Sequence, residues 1–244
     1  MLLNKSKNLI IKISLLILIT LGFFNLFVLS SRAILVSYLI VLIFLIITLI
    51  IVNAKKSRHL HIIKHVSLFI LPIIISFIFF KTINTDQNLN ITSRVSSIST
   101  SDVSATTRLR YYNKGLEYFI ENPLTGAGIG NFQLISIKLD SDNIESYIVP
   151  YVAHNDFIEA FTELGVVGGL AYLLFVLATG IYLVRLFFEL NVKGERLQII
   201  FLSMPFLIYF VDANLNFPQY RPIMQIAFLI YSVLVFKFYR KRIS

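Results

Sequence analysis

Apolar residues gather in six long runs along this chain, separated by short polar turns and by one long polar segment. The runs are about Ile10 to Leu29, Ala33 to Val52, Val66 to Phe80, Phe157 to Val184, Leu197 to Val211, and Pro222 to Phe238. A helix needs roughly 17–25 apolar residues to cross a bilayer. Each run therefore predicts a membrane-spanning helix, the third and fifth borrowing flanking residues to reach across. The expected fold class is all-α: a polytopic transmembrane bundle of about six spans, with an extracytoplasmic loop that carries an interfacial amphipathic helix. Residues 1–80 hold three spans, 81–152 the outer loop and 153–244 three more spans. No internal repeat is visible.

Composition agrees with that solvent. Of 244 residues, 57% are hydrophobic and 14% charged, with a mean hydropathy of +0.78. Soluble domains carry about a quarter charged residues. In hydrocarbon, apolar side chains cost nothing to expose while every backbone polar group must be satisfied internally. There is no cysteine, which excludes disulfides and thiolate metal sites.

The net charge of +9 is informative through its placement. Lys5, Lys7 and Lys12 precede or open the first run; Lys55, Lys56 and Arg58 follow the second. Arg185, Lys193 and Arg196 follow the fourth, and Lys237, Arg240, Lys241 and Arg242 close the chain. With six crossings all four clusters fall on one side, the cytoplasmic one by the positive-inside rule. Both termini are then expected in the cytoplasm of a multi-pass protein, and no nucleic-acid partner is expected. The start of the chain has the basic stretch of a signal peptide, and Val28-Leu29-Ser30 loosely resembles a cleavage site. The apolar run is longer than the usual ~7–15 residues, so it reads as a span.

The outer segment changes character along its length. Residues 84–107 are rich in Ser, Thr, Asn and Asp and read as a flexible loop. Thr107 is a plausible N-cap for a helix from Arg108 to Glu121, which Pro123 ends. At 100° per residue, Tyr111, Tyr112, Gly115, Leu116, Tyr118 and Phe119 share one face. Arg110, Asn113, Lys114, Glu117 and Glu121 share the other. This predicts an amphipathic helix at the membrane surface. Arg108 falls on the apolar face. Spacing alone leaves two readings open: a snorkelling first-turn residue, or a cation aimed at a phosphate or headgroup.

Pro123-Leu124-Thr125-Gly126-Ala127-Gly128-Ile129-Gly130-Asn131 follows. Without a strand-to-helix context it is weak evidence for a phosphate loop. It reads as a tight positive-φ turn that brings backbone close to the membrane or a substrate. His154 then stands at the mouth of the fourth run, where Asn155, Glu159 and Glu163 form a polar stripe at helical spacing. The bland reading is a capped helix start with a structural stripe; the functional one is a histidine base beneath the outer loop. His59, His61 and His65 fall on the cytoplasmic side, so no metal is expected at His154. Arg32 and Arg221 are outer-face arginines against the positive-inside trend. Several arginines around one histidine suggest an anionic ligand, since guanidinium gives bidentate contacts to phosphate oxygens.

These residues resemble a known family. Arg108 through Phe132, RLRYYNKGLEYFIENPLTGAGIGNF, is similar to the central region of the O-antigen ligase and polymerase superfamily. The family's His-Asn and Glu-x-Gly motifs appear as His154-Asn155 and Glu163-Leu164-Gly165, and its Ser-Arg motif as Ser31-Arg32-Ala33. The likeness covers about Ser31 to Gly169; the last two spans fit by topology only. It implies a bacterial inner-membrane glycosyltransferase. Such proteins take glycan from undecaprenyl diphosphate to a glycan, lipid or protein acceptor on the outer face, without metal or other cofactor. It implies that His154 deprotonates the acceptor, that Arg108 and Arg32 hold the diphosphate, and that Arg110 and Arg221 are weaker contacts. Glu159, Glu163 and Asn155 are implied near sugar or behind His154. A protein O-oligosaccharyltransferase shares these motifs, and a non-catalytic polytopic protein is the reading outside the class.

Two departures stand out. Tyr112 replaces the tryptophan common in relatives. Relatives also carry several more spans ahead of the Ser-Arg motif, where this chain has one. That leaves a truncated product, a fragment, or half of a split protein whose missing spans come from a separate polypeptide.

Overall fold

The computed structural model describes residues 13–14, 16–22, 24, 32–53, 59–83, 103–144, 150–189 and 193–243. Helix α1 is Arg32–Asn53, α2 His59–Ile83, α3 Val103–Glu121, α4 Phe132–Asp140, α5 Asp156–Glu189, α6 Lys193–Leu215 and α7 Pro222–Ile243. Short 3₁₀ turns cover Ser141–Asn143 and Pro218–Tyr220. No strand occurs among the described residues, and the all-helical class is as expected.

Helices α5, α6 and α7 are long and apolar enough to cross a membrane. Apolar helix also covers Val36–Ile51 within α1 and Ile70–Thr82 within α2. Most of the first expected span lies outside the described residues. Large apolar side chains stay exposed along these helices, such as Leu174, Ile181 and Phe188 on α5 and Ile226, Ile230 and Val233 on α7. Such area would drive association in water and is at home against lipid.

The chain forms two compact units, residues 1–98 with 190–201, and residues 99–189 with 202–244. In the first, the Ser76 hydroxyl, one turn after Pro72 in α2, donates to the Thr20 carbonyl at 2.7 Å, and Phe24 meets Phe79 edge-on. In the second, α5, α6 and α7 share a core of Val176, Tyr209, Ala213 and Phe228. The Tyr209 and Phe228 rings stack with centroids 3.7 Å apart. Thr179 Oγ1 donates to Ser232 Oγ at 3.1 Å, a buried polar tie between α5 and α7.

Helix α3 begins at Val103, so Thr107 lies inside it and is not the N-cap. The expected flexible stretch is helical over its last residues, and 84–102 fall outside the described ones. Local propensity is a weak prior, and a helix already fixed by packing extends cheaply through Ser and Thr. The end at Glu121 is as expected. The aromatic face is used differently from the surface reading. Tyr112, Gly115 and Phe119 turn toward α5, with Phe119 edge-on to Phe161 and Gly115 against Thr162 and Ile158. Leu109, Leu116 and Ile120 form the exposed stripe.

Helix α5 is broken at Gly165, where φ is 67° and ψ −168°. The break separates a short segment bearing Asp156, Glu159 and Glu163 from residues 166–189. That second piece is about 36 Å long at 1.5 Å per residue, enough to span alone. A break frees backbone groups that must find partners. The glycine turn supplies them: Ala127 N–H donates to Thr162 C=O at 3.0 Å and Gly128 N–H to Glu163 C=O at 2.8 Å. In return, Val166 N–H donates to Pro123 C=O at 2.7 Å. The turn has positive φ at Gly126, Gly128 and Gly130, as its sequence predicts, and the backbone it approaches is that of α5. A Cβ on Gly126 would sit 2.5 Å from Glu163 O, and one on Gly165 2.5 Å from Leu124 O. Backbone cannot yield, so both positions require glycine.

Candidate functional site

The site is assembled around the short first segment of α5, whose three acids each hold a different loop. Glu163 Oε2 accepts Gly130 N–H at 2.9 Å and Oε1 accepts Phe132 N–H at 2.9 Å, capping the start of α4. A carboxylate suits that position because a helix N-terminus presents unpaired N–H groups and partial positive charge. Glu163 Oε1 also accepts the Tyr220 hydroxyl at 3.2 Å. Burial, then the carboxylates of Glu159 and Glu163, push the Tyr220 phenol up, so it stays a donor. Glu159, with no exposed surface, accepts Ala153 N–H at 3.0 Å, just before His154. Asp156, equally buried, accepts Gln219 N–H at 3.0 Å and the Tyr172 hydroxyl at 3.2 Å, and Tyr172 meets Tyr209 at 3.1 Å.

Asn155 is the N-cap of α5. Its Oδ1 accepts Phe157 N–H and Ile158 N–H, each at 3.1 Å, and its Nδ2 donates to Asn214 C=O at 3.3 Å. These partners make Asn155 a structural cap that also ties the helix start to the end of α6.

His154 has φ of 61°, the left-handed conformation, and is the one described non-glycine residue that does. Such strain persists only when surroundings over-determine it. Here Ala153 N–H is tied to Glu159 on one side, and the His154 carbonyl accepts the Tyr112 hydroxyl at 3.0 Å on the other. The ring is half-buried and packs edge-on against Phe217, centroids 5.2 Å apart. Nδ1 is buried with no hydrogen-bond partner among the described residues. Burial, then the nearby Arg108 charge, lowers its pKa to about 4. The imidazole is therefore neutral at physiological pH.

Arg108 lies one helical turn before Tyr112 on α3 and acts electrostatically on both Tyr112 and His154. It makes no ion pair or hydrogen bond with any described residue. Arg221 is exposed, and its guanidinium lies 4.9 Å from the centre of the Phe217 ring. Phe217 thus touches both His154 and Arg221. Of the residues singled out from sequence, the structure brings Arg108, His154 and Arg221 near one another, with Asn155, Glu159 and Glu163 behind them.

Two expectations fare differently. Arg110, read as a solvated charge and a weaker substrate contact, has its Nε 2.9 Å from Asp140 Oδ2, whose side chain is 1% exposed. It ties α3 to α4 and is committed there, because stripping it away would leave a buried carboxylate unpaired. Arg32 opens α1, in the other unit, and its side chain lies outside the described residues. Sequence reasoning passed over Tyr112 as a hydrogen-bond donor, and Phe217, Tyr220 and Asp156 altogether. No helical spacing marks Phe217 or Tyr220, and an acid such as Asp156 is ordinary at a helix start. Among the described residues no group of His, Asp and Glu converges as a metal site.

This arrangement offers a neutral nitrogen base and two uncommitted guanidinium groups at the mouth of a membrane helix. No match was found among curated proteins. The family model for O-antigen ligase matches residues 15–173, well over half of the chain and all of the His154 segment. Arg108, the glycine turn, His154-Asn155 and the broken helix at Glu163-Leu164-Gly165 lie inside that match, and the chain belongs to the O-antigen ligase family.

Proposed function

We propose that this chain is a glycosyltransferase of the bacterial inner membrane. It moves or polymerises glycan from undecaprenyl diphosphate onto an acceptor at the outer face. The observation that carries this reading is a neutral His154 flanked by Arg108 and Arg221, neither of which has an ion-pair partner among the described residues.

In this mechanism a ring nitrogen of His154 takes the proton of the acceptor hydroxyl. The freed oxygen attacks the anomeric carbon, and the bond from that carbon to the diphosphate oxygen breaks. The lipid diphosphate departs with its charge held by Arg108, with Arg221 as second contact. Fixed cations aimed at a developing anion are worth most in a poorly solvated site. Arg108 also couples the two substrates. Alone, it makes His154 a weaker base; a diphosphate against it offsets its charge and restores basicity as the donor seats. Glu159 and Asn155 hold the His154 loop, and Glu163 holds the glycine turn.

Whether the acceptor is a lipid-anchored glycan or the growing chain is read from surface glycans of a deletion strain. Loss of attachment marks a ligase, single-repeat glycans mark a polymerase, and unchanged surface glycan contradicts the proposal.

A further inference from the structure

We infer that Tyr112 is a positioning residue whose hydroxyl locks the strained His154 backbone and ties it to the helix that carries Arg108. The inference rests on the transferase reading for its kinetic arm and stands on geometry alone for its structural arm.

Three elements meet at this one oxygen. Tyr112 belongs to α3, and its hydroxyl lies 3.0 Å from the His154 carbonyl and 3.3 Å from the Asn214 carbonyl, in the last turn of α6. Asn214 C=O also receives Asn155 Nδ2 at 3.3 Å, so both sides of the His154 loop converge on it. A residue with φ of 61° and a Cβ relaxes toward negative φ once released. Rotation there would swing the imidazole off Phe217, which it touches at 5.2 Å. Glu159 restrains the preceding amide, through Ala153 N–H, and the Asn155 cap anchors the residue that follows; the Tyr112 bond is the restraint on the strained residue's own carbonyl. Burial raises the Tyr112 phenol pKa, which keeps the hydroxyl a donor over the working range. Arg108 sits four positions earlier on the same helix face, so whatever fixes Tyr112 to His154 also fixes the base relative to the guanidinium. Neither charge, metal nor substrate is needed for this: the hydroxyl acts through the backbone.

The test is Tyr112→Phe in the full chain, with Tyr111→Phe as control, since Tyr111 has no part in the site. The first readout needs no glycan: the rate at which diethylpyrocarbonate modifies His154, resolved from His59, His61 and His65 by peptide mass spectrometry. Losing the lock raises that rate about tenfold, the usual reach of one hydrogen bond plus released strain, and Tyr111→Phe leaves it unchanged. The second readout is transfer kinetics: kcat falls about tenfold while KM for the lipid-linked donor stays within about twofold, because Arg108 is untouched. Unchanged His154 reactivity in Tyr112→Phe overturns the inference, whatever the enzyme's activity proves to be. A higher KM with kcat preserved also overturns it, by assigning Tyr112 to substrate binding. Altered reactivity without any transfer by the parent protein upholds the lock and refutes the transferase reading.

Discussion

Gly126 and Gly130 both have positive φ, 61° and 78°, in the same turn, and differ in what a methyl group would meet. At Gly130 a Cβ meets nothing within 4 Å; at Gly126 it would lie 2.5 Å from Glu163 O and 2.7 Å from Gly165 N. Alanine at either position incurs roughly 1–2 kcal/mol for the left-handed conformation. At Gly126 it must also push the turn off α5, losing the bonds Ala127–Thr162, Gly128–Glu163 and Val166–Pro123. At about 1 kcal/mol net for each bond, undocking adds about 3 kcal/mol, a difference on the order of a hundredfold in the opening equilibrium. Amide exchange of the peptide covering 122–132, measured in nanodiscs, reads this directly. Gly126→Ala should exchange at Ala127 and Gly128 on the order of a hundredfold or more faster than the parent. Gly130→Ala, which incurs only the roughly 1–2 kcal/mol of backbone strain, should change by about thirtyfold at most. Equal exchange in the two variants would refute the claim that the glycine turn exists to dock on the broken helix.

Three other perturbations follow from the same geometry. Glu163→Ala uncaps Gly130 and Phe132 and strands the Tyr220 hydroxyl; with about 1.5–3 kcal/mol for each bond to a charge, thermal melting in detergent should fall by several degrees, and an unchanged midpoint contradicts the capping role. Gly115→Val places a Cβ 2.9 Å from Thr162 Oγ1 and 3.1 Å from Ile158 Cγ2, which should loosen α3 from α5 and speed tryptic cleavage at Lys114; equal cleavage rates would show that α3 is held elsewhere. Because His154 titrates near pH 4 with its lowering partly due to Arg108, the acid limb of kcat/KM should lie well below 6.5, rise in Arg108→Gln, and sit higher in kcat than in kcat/KM. The sign for stability is the same: the unfolded chain binds the proton more tightly, so stability drops as pH falls from about 6.5 toward 4.

The spans were legible because hydrocarbon imposes one rule on every residue of a helix. The apolar runs at 33–52, 157–184 and 222–238 became Arg32–Asn53, Asp156–Glu189 and Pro222–Ile243, each differing by a few residues where ends fray or a polar turn is absorbed. Gly126, Gly128 and Gly130 announced a positive-φ turn through their own chemistry. What it docks against was hidden, since Thr162, Glu163 and Val166 contribute backbone atoms that carry no sequence signal. The fate of the charges was equally hidden. Arg110 and Arg108 are two residues apart on one helix, yet Arg110 meets Asp140 and Arg108 meets none of the described residues. That difference depends on where α4 ends, which helical periodicity in α3 cannot contain. Phe217 and Tyr220 join the site through bonds that span long gaps in sequence, Gln219 N–H to Asp156 across 63 positions and the Tyr220 hydroxyl to Glu163 across 57.

The central claim is that His154 and Arg108 perform transfer. Purified protein in proteoliposomes, supplied with undecaprenyl diphosphate-linked glycan and acceptor, should show transfer that His154→Ala and Arg108→Ala each reduce by at least about 10²-fold, the usual range for a general base or an electrostatic contact. Membrane insertion and melting should stay unchanged. Transfer that survives both substitutions at the parent rate would contradict the account.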